Sequence, residues 1–264
     1  MTNLLLAYNS IPMQGKTVTT SYTDSDLNNV YNLLTNKRSD YSLVNSGATW
    51  NISFDLGLDD SAAAITKAAE YVILTSALTT LNASLTFYLE HSPDNSAWTT
   101  ATSFTNTDAA AAIKGLMRAD YIKTFAITSA RRYWRIRCSG GSPGVSKCYF
   151  GQFFDLEVDP HDIVLQSPKQ DPFYADGGYT TYGIKTPSLG TYKIEWRGIS
   201  KVKKEEFTAI VQGLPDRPLF FLYQQTNTDV FNGENLLAVN LEDYTFDTLA
   251  TDYYVLTANF KDSL

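Results

Sequence analysis

The chain contains few cysteines and few histidines, and this scarcity excludes several kinds of site. Two Cys and two His occur among its 264 residues. Two cysteines are too few for the disulfide framework of a small secreted domain. The histidines, His91 and His161, stand in no spacing that is typical of zinc ligands, so we expect surface positions for both. The sequence predicts no bound metal and no cofactor.

Positive charge and long apolar runs are scarce as well. The 21 Lys and Arg residues are outnumbered by 28 Asp and Glu, which leaves a net charge of -7. An acidic chain offers phosphates no general counter-charge, so we expect no nucleic-acid partner. No stretch approaches the roughly 20 apolar residues that span a bilayer, and residues 1–16 lack the basic start of a signal peptide. We therefore expect a protein that folds in a cytoplasm and does not insert into a membrane.

What the chain does contain is typical of a folded β-rich protein. Hydrophobic residues make up 44% of it and aromatic residues 13%, and only 19% of the residues are charged. In the first half, apolar and polar residues alternate with the period of a half-buried strand. The predicted strands cover residues 50–56, 70–75, 85–90 and 125–128, and two more flank the Gly/Pro turn within Ala130–Leu156. Short helices are predicted at 25–34 and on the Ala-rich run 108–117.

The same alternation predicts a core for the first half. Its members are Phe54, Val72, Leu74, Phe87, Trp134 and Ile136. Cys138 shares the inward face of Trp134 and Ile136, which favours a buried reduced thiol. A disulfide with Cys148 stays open as an alternative, because a hairpin at the Gly/Pro turn would place the two strands side by side.

A polar stretch rich in Pro and Gly separates two parts of the chain. We predict a β-sandwich with its N-terminal segment over residues 1–158, a connection over 159–190 and a small α+β domain over 191–264. The fold class is therefore mainly β, with a sandwich followed by a small α+β unit.

The second part begins with a clean alternation over Thr191–Gly198 and then changes period. Ser200 can cap a helix that runs to about Gln212. The predicted inner face of this helix consists of Val202, Phe207, Ile210 and Val211. Further strands are predicted at 218–223, 236–246 and 252–260. The predicted core of this part consists of Tyr192, Ile194, Trp196, Phe207 and Phe221.

Three motifs in the first part carry a resemblance to a known fold family. They are Phe54-Asp-Leu-Gly57, the turn Ser92-Pro-Asp-Asn-Ser-Ala-Trp98 and the strand Arg132-Tyr-Trp-Arg135. Together they resemble a discoidin-like (coagulation-factor C-type) jelly roll, although the cysteine pair that joins the ends of secreted members is absent. With the bridge around Asp176-Gly-Gly178 and the elements after it, the order of motifs is similar to that of tail structural proteins of tailed bacteriophages, of the distal tail or baseplate type.

This resemblance implies a structural role in a virion. The expected protein is a non-enzymatic part of a phage tail tip or baseplate, assembled in the host cytoplasm into a homo-oligomeric ring with other tail proteins as partners. Residues 1–20 and the stretch 168–187 would act as arms that reach neighbouring subunits. Deleting residues 1–20 is therefore expected to block assembly and to leave the isolated domain folded. The alternative is a carbohydrate- or cell-surface-binding module that recognises a host surface glycan. In that case an aromatic residue in loop 94–98 or 174–182 would stack on a sugar.

Candidate reactive motifs have simpler explanations. Gly140-Gly-Ser-Pro-Gly144 matches a nucleophile elbow, but such an elbow joins a strand to a helix and this one joins two strands. Two groups of loop carboxylates are candidates for calcium ligands, but neither has the spacing of an EF-hand and such residues are common in turns. These groups are Asp55, Asp59 and Asp60, and Asp24 and Asp26. We therefore predict that the protein is not an enzyme and assign no catalytic, cofactor-binding or metal-binding residue.

The basic and aromatic run Arg131–Arg137 resembles a nucleic-acid platform only in composition. Alternation sends Trp134 inward and leaves Tyr133, Arg135 and Arg137 on the opposite face. In an acidic chain this pattern favours a solvated or partner-facing strand surface.

Overall fold

The computed structural model describes residues 4–8, 17–20, 42–43, 49–76, 86–105, 119–139, 144–145, 147–166, 190–214, 219–224 and 236–262. The strands in these ranges are β1 (Leu4–Tyr8), β2 (Thr17–Thr20), β3 (Ser42–Leu43), β4 (Thr49–Asp55), β5 (Tyr71–Ser76), β6 (Thr86–Ser92), β7 (Thr99–Thr105), β8 (Ala119–Thr124), β9 (Tyr133–Ser139), β10 (Gly144–Val145), β11 (Lys147–Gly151), β12 (Pro160–Gln166), β13 (Thr191–Ser200), β14 (Leu219–Gln224), β15 (Leu236–Ala250) and β16 (Tyr253–Asp262). The helix in these ranges is α1 (Lys201–Gln212), and no helix among them is long and apolar enough to cross a bilayer.

Several predicted features lie outside the described residues. They are the helices at 25–34 and 108–117, Asp24 and Asp26, Ser142, the arm at 168–187 and the loop at 174–182.

Contacts divide the chain into two compact units. The sandwich unit consists of Leu5–Asp155 together with Phe220–Tyr223. The helix-bearing unit consists of Met1–Leu4, Leu156–Leu219 and Gln224–Leu264. The domain boundaries that the sequence predicts stay a prediction, because most of the connection between them lies outside the described residues.

Two antiparallel sheets face each other in the sandwich unit. One has five strands in the order β2-β4-β9-β6-β7, and the other has three in the order β11-β5-β8. Their inward side chains form one hydrophobic core. It includes all six side chains that the sequence predicts, namely Phe54, Val72, Leu74, Phe87, Trp134 and Ile136. The predicted mainly β fold with a β-sandwich in the first half is confirmed.

The two strands within Ala130–Leu156 do not form the predicted hairpin. β9 belongs to the five-stranded sheet and β11 to the three-stranded sheet, so the chain crosses from one sheet to the other between them. Cys138 and Cys148 consequently lie in opposite sheets, and both are free and buried. The prediction of a buried reduced thiol is therefore confirmed, and the alternative of a disulfide is wrong.

The strand predicted at 125–128 is also wrong. The strand in this region is β8, which ends at Thr124. The amides of Phe125 and Thr128 instead donate singly to the carbonyl oxygens of Glu70 and Ala69, just ahead of β5. Isolated hydrogen bonds of this kind anchor a loop and do not build a ladder.

The N-terminal segment is not a free arm where it is described. In β1, residues Leu4 to Ala7 are buried, and Leu6 exchanges two backbone hydrogen bonds with Phe154. β1 lies beside β14. Deleting residues 1–20 would therefore remove part of a core, which contradicts the expectation that the protein would fold normally without them.

Phe221 of β14 was predicted in the second core but packs in the sandwich unit. Its ring meets that of Tyr149 in an edge-on contact, with centroids 4.9 Å apart. Phe153 stacks on Tyr223 of the same strand at 5.3 Å.

The helix-bearing unit contains an antiparallel sheet in the order β12-β13-β16-β15. Tyr192, Ile194 and Trp196 of β13 are buried, as their alternation predicts. β12 was not predicted, because its proline and polar residues resemble a connection. Pro160 opens that strand, a position where a missing backbone donor is tolerated.

The predicted helix is confirmed from cap to cap. The hydroxyl of Ser200 accepts a hydrogen bond from the amide of Lys203, and Gly213 follows the last turn. Phe207 is buried and meets the rings of Tyr244 and Phe246 edge-on. Val202, predicted on the inner face, is 61% exposed because only this narrow stripe of the helix meets the sheet.

Candidate functional site

The outward face of the five-stranded sheet carries an organised set of polar and aromatic side chains. We call Tyr88, Glu90, Arg135, Arg137 and Trp98 the outer band. Strand register assembles it, because Arg135 lies opposite Glu90 of β6 and Arg137 lies opposite Tyr88. Side chains that alternate along β9 thus meet partners from the neighbouring strand on the same face.

Glu90 is the central group of the outer band. One carboxylate oxygen, Oε2, accepts from Nε of Arg135 at 2.7 Å, and the other, Oε1, accepts from Nη2 of Arg137 at 3.0 Å. The Glu90 side chain is only 6% exposed. Burial alone would raise the pKa of Glu90, but the hydrogen bonds from Arg137 and Arg135 outweigh it and lower the pKa.

Both guanidinium groups of the outer band also stack on aromatic rings. The guanidinium carbon of Arg135 lies 4.1 Å from the centroid of the Trp98 ring, and that of Arg137 lies 3.8 Å from the centroid of Tyr88. Cation–π contacts at this distance restrict the movement of both guanidinium groups. The outer band is therefore a fixed array of flat polar groups.

A small cleft opens beside the outer band, with a volume of about 100 Å³. Its lining residues are Thr19, Ser53, Phe54, Asp55, Asn95 and Tyr133. Asp55 is held in place by a two-pronged ion pair, in which Nε and Nη2 of Arg132 lie 2.6 and 2.9 Å from its two oxygens. The hydrogen bond from Arg132 lowers the pKa of Asp55, so the cleft contains an ionised carboxylate at neutral pH.

The turn Ser92–Trp98 places Asn95 at the rim of the cleft. Asp94 shapes this turn, since its Oδ1 accepts from the amides of Ser96 and Ala97 at 2.9 and 3.0 Å. These backbone hydrogen bonds lower the pKa of Asp94. Asn95 has a φ of 62°, a left-handed conformation that Asn adopts more readily than most residues.

The chemistry of this region suits binding better than catalysis. A glycosidase acid needs a carboxyl group with a raised pKa, whereas Asp55 and Glu90 have lowered pKa values. Burial raises the pKa of the Cys138 thiol to about 12, which removes it as a nucleophile. In the described ranges no three potential metal ligands come together.

The residues considered for calcium have other roles. Asp55 binds Arg132 and the amide of Gly57. Oδ1 of Asp59 accepts from the amides of Ser61 and Ala63, so this side chain closes a turn.

His91 does not occupy the predicted surface position. It is 9% exposed and meets the Trp134 ring edge-on, with centroids 5.4 Å apart. Burial, with a smaller contribution from the positive charge of Arg131, lowers the pKa of His91. A histidine directly after a strand predicted to end at 90 suggests a turn, but β6 continues to Ser92.

Sequence reasoning placed Tyr133, Arg135 and Arg137 correctly on the outward face and singled out Trp98. It did not single out Glu90, Tyr88, Ser53 or Thr19, and it included Asn95 only as a member of loop 94–98. Alternation in β6 could have signalled Glu90 opposite Arg135, but strand pairing is needed to know that the two face each other. Nothing in the sequence marks Asn95 except its place in an Asp-Asn turn.

No protein-family model matches the sequence, and no curated protein is similar to it. The solved structures to which part of the chain is similar include carbohydrate-binding modules. CBM32-6 produced by Clostridium perfringens is 15% identical, with a TM-score of 0.39 over 52% of this chain and 94% of that one. CBM32-5 from Clostridium perfringens, solved with GalNAc-beta-1,3-galactose, is 12% identical, with a TM-score of 0.40 over 54% and 99%. The CBM32 of AlyQ, solved with 4,5-unsaturated mannuronic acid, is 22% identical, with a TM-score of 0.38 over 52% and 94%.

Proposed function

We propose that this protein is a non-catalytic binding protein whose sandwich unit recognises carbohydrate at the cleft beside the outer band. The observation that carries the proposal is the combination of groups in the cleft. Asp55 and Asn95 supply a planar carboxylate and a planar amide, Ser53 and Thr19 supply hydroxyl groups, and Tyr133 supplies a ring. Such groups pair with sugar hydroxyls and stack on the apolar face of a pyranose.

Preorganisation supports this proposal. Arg132 fixes the Asp55 side chain, and the hydrogen bonds of Asp94 fix the backbone that carries Asn95, so less conformational freedom is lost when a ligand binds. The Tyr133 ring is held as well, with the guanidinium carbon of Arg132 4.8 Å from its centroid.

A glycan array probed with the full chain tests the proposal. We expect specific binding to a limited set of glycans, and we expect Asn95→Ala to weaken it by about tenfold, which corresponds to about 1.4 kcal/mol for one or two lost hydrogen bonds. The matched control is Ser61→Ala, a change in another exposed turn of the same unit that should leave binding intact. An array without specific binders, or equal binding by both variants, would refute carbohydrate recognition at this cleft.

The order of motifs supports a second proposal, a structural role in a phage tail tip or baseplate. In this role the chain assembles into a homo-oligomeric ring with other tail proteins, and carbohydrate binding would serve attachment to a host surface. Immunogold labelling of intact phage particles with an antibody against this protein checks the proposal directly. Label at the tail tip is the expected result, and particles that bind no antibody although the host expresses the protein would exclude the role.

A further inference from the structure

We propose that the ligand is an anionic glycan, whose carboxylate, sulfate or phosphate group lies over Arg135 and Arg137 of the outer band. This inference rests on the proposed function, because it names the class of sugar that the cleft and the outer band take together. The cleft would hold the hydroxyl groups of one sugar unit, and the outer band the charged group of the next.

The charge of the outer band is the first argument. Two guanidinium groups share the single carboxylate of Glu90, so these three side chains together carry a net positive charge. The nearby pair of Asp55 and Arg132 is neutral as a unit. In a chain with a net charge of -7, this local positive charge favours an anion at the outer band.

The accessibility of the two guanidinium groups is the second argument. The side chains of Arg135 and Arg137 are 19% and 27% exposed, whereas Glu90 between them is 6% exposed. Solvent and ligand therefore meet the cations before they meet the carboxylate. The contacts with Trp98 and Tyr88 restrict the movement of both groups. The edge of each group that carries Nε and Nη2 faces Glu90, so an oxyanion would meet the opposite edge.

Continuity with the cleft is the third argument. Ser53, which lines the cleft, lies directly opposite Arg135 in the ladder between β4 and β9. Directly paired residues of neighbouring strands lie about 5 Å apart, which is close to the length of one sugar unit. A carboxylate on the next unit of an oligosaccharide can therefore approach the outer band while its neighbour occupies the cleft. Asp94 in the turn at the cleft rim is also negatively charged, and the amides of Ser96 and Ala97 hold its carboxylate within that turn.

The test uses an array that contains neutral oligosaccharides and their uronate-, sialate-, sulfate- and phosphate-bearing counterparts. The strongest acidic binder is then compared with its uncharged form, the methyl ester for a carboxylate or the parent sugar for a sulfate or phosphate. We expect the uncharged form to bind at least about tenfold more weakly at low salt, and we expect affinity for the acidic form to fall as salt rises.

Two variants connect this effect to the outer band. Arg137→Gln should abolish the preference for the charged form, and Arg137→Lys should keep part of it, because the lysine retains charge without the fork. Arg197→Gln in the helix-bearing unit, which removes an exposed arginine paired with Glu195, is the matched control. Melting curves establish that each variant is folded.

The possible results separate the two proposals. Specific binders that are all neutral, or an uncharged form that binds as tightly as the acidic one, would overturn the anionic ligand and leave carbohydrate binding intact. No binder of any kind would overturn the proposed function itself. A preference for carboxylates over sulfates and phosphates, or the reverse, identifies the anion.

Discussion

Glu90 shows how one side chain can organise a protein surface. A carboxylate in the middle of a strand is expected to point into water, yet the Glu90 side chain is almost fully buried. It is satisfied there because Arg135 and Arg137 enclose it from the neighbouring strand. Breaking a buried ion pair from one side leaves the other charges uncompensated, and this cost exceeds the net stabilisation of the intact pair.

We therefore expect Glu90→Gln to lower the free energy of unfolding by on the order of 2 kcal/mol, less than for a fully buried pair because both arginines are partly exposed. Urea denaturation of the full chain measures this. Glu195→Gln is the control, since Glu195 pairs with the exposed Arg197 and its loss should change stability by about 0.5 kcal/mol or less. Equal losses in both variants would contradict the central role of Glu90.

His91 predicts a pH dependence of stability. Its pKa is lowered in the folded protein, whereas the unfolded chain titrates near the ordinary value of 6.5. The unfolded state therefore binds more protons below pH 6.5, and the free energy of unfolding should fall as the pH drops from 7 towards 5. His91→Phe keeps the ring against Trp134 and should flatten this slope. A slope in the His91→Phe variant equal to that of the unsubstituted protein would show that His91 is not the cause.

Among the elements, the passage from β13 into α1 is the part that sequence reasoning described best. Its period-two alternation, the cap at Ser200 and the glycine after the last turn are all local signals, and each is present in the structure. The connection between β9 and β11 was predicted wrongly for the opposite reason. Whether two strands share a sheet is decided by distant partners, here β5 for β11 and β4 and β6 for β9. The sequence did not predict the contact between Glu90 and Arg135 in the candidate site for the same reason, because only strand pairing brings these two residues together.

The end of β13 also contains a glycine with a conformational role. Gly198 has a φ of 87° at a bulge between Arg197 and Ile199. An alanine there would meet nothing within 4 Å, so its cost is conformational and should be about 1 to 2 kcal/mol. Thermal denaturation of Gly198→Ala measures it.

The control for this prediction is Gly213→Ala. Gly213 has a φ of -82°, which alanine adopts freely, although the new carbon would lie 3.3 Å from the carbonyl oxygen of Ala209. We expect a change well below that of Gly198→Ala, because the gain from a stiffer unfolded chain offsets the tight contact. A larger loss of stability in Gly213→Ala than in Gly198→Ala would show that local crowding, and not backbone conformation, determines the cost of these substitutions.

At the scale of the whole molecule, two thiols report on the state of the sandwich unit. Cys138 and Cys148 are buried in opposite sheets of the same core, and burial raises the pKa of both. A reagent that attacks thiolates, such as a thiol-reactive aromatic disulfide, should therefore leave the native protein unmodified at pH 8. Both thiols should react together when urea unfolds the core.

Labelling followed along a urea titration checks this. Ala126→Cys, which adds a thiol at an exposed position of the same unit, should react at once in the native protein and serves as the control. Rapid native labelling of Cys138 or Cys148 would mean that the two sheets separate locally.

Phe220–Tyr223 has a consequence for the order in which the protein is made. Tyr149 and Phe153 are synthesised long before the rings of Phe221 and Tyr223 that cover them. A nascent chain that has left the ribosome as far as residue 155 therefore exposes the rings of Tyr149 and Phe153. The sandwich unit can complete its folding only after Phe221 and Tyr223 have been synthesised, because contacts between residues far apart in sequence form late. A gene that is cut after β11 would encode a sandwich unit that lacks Phe220–Tyr223.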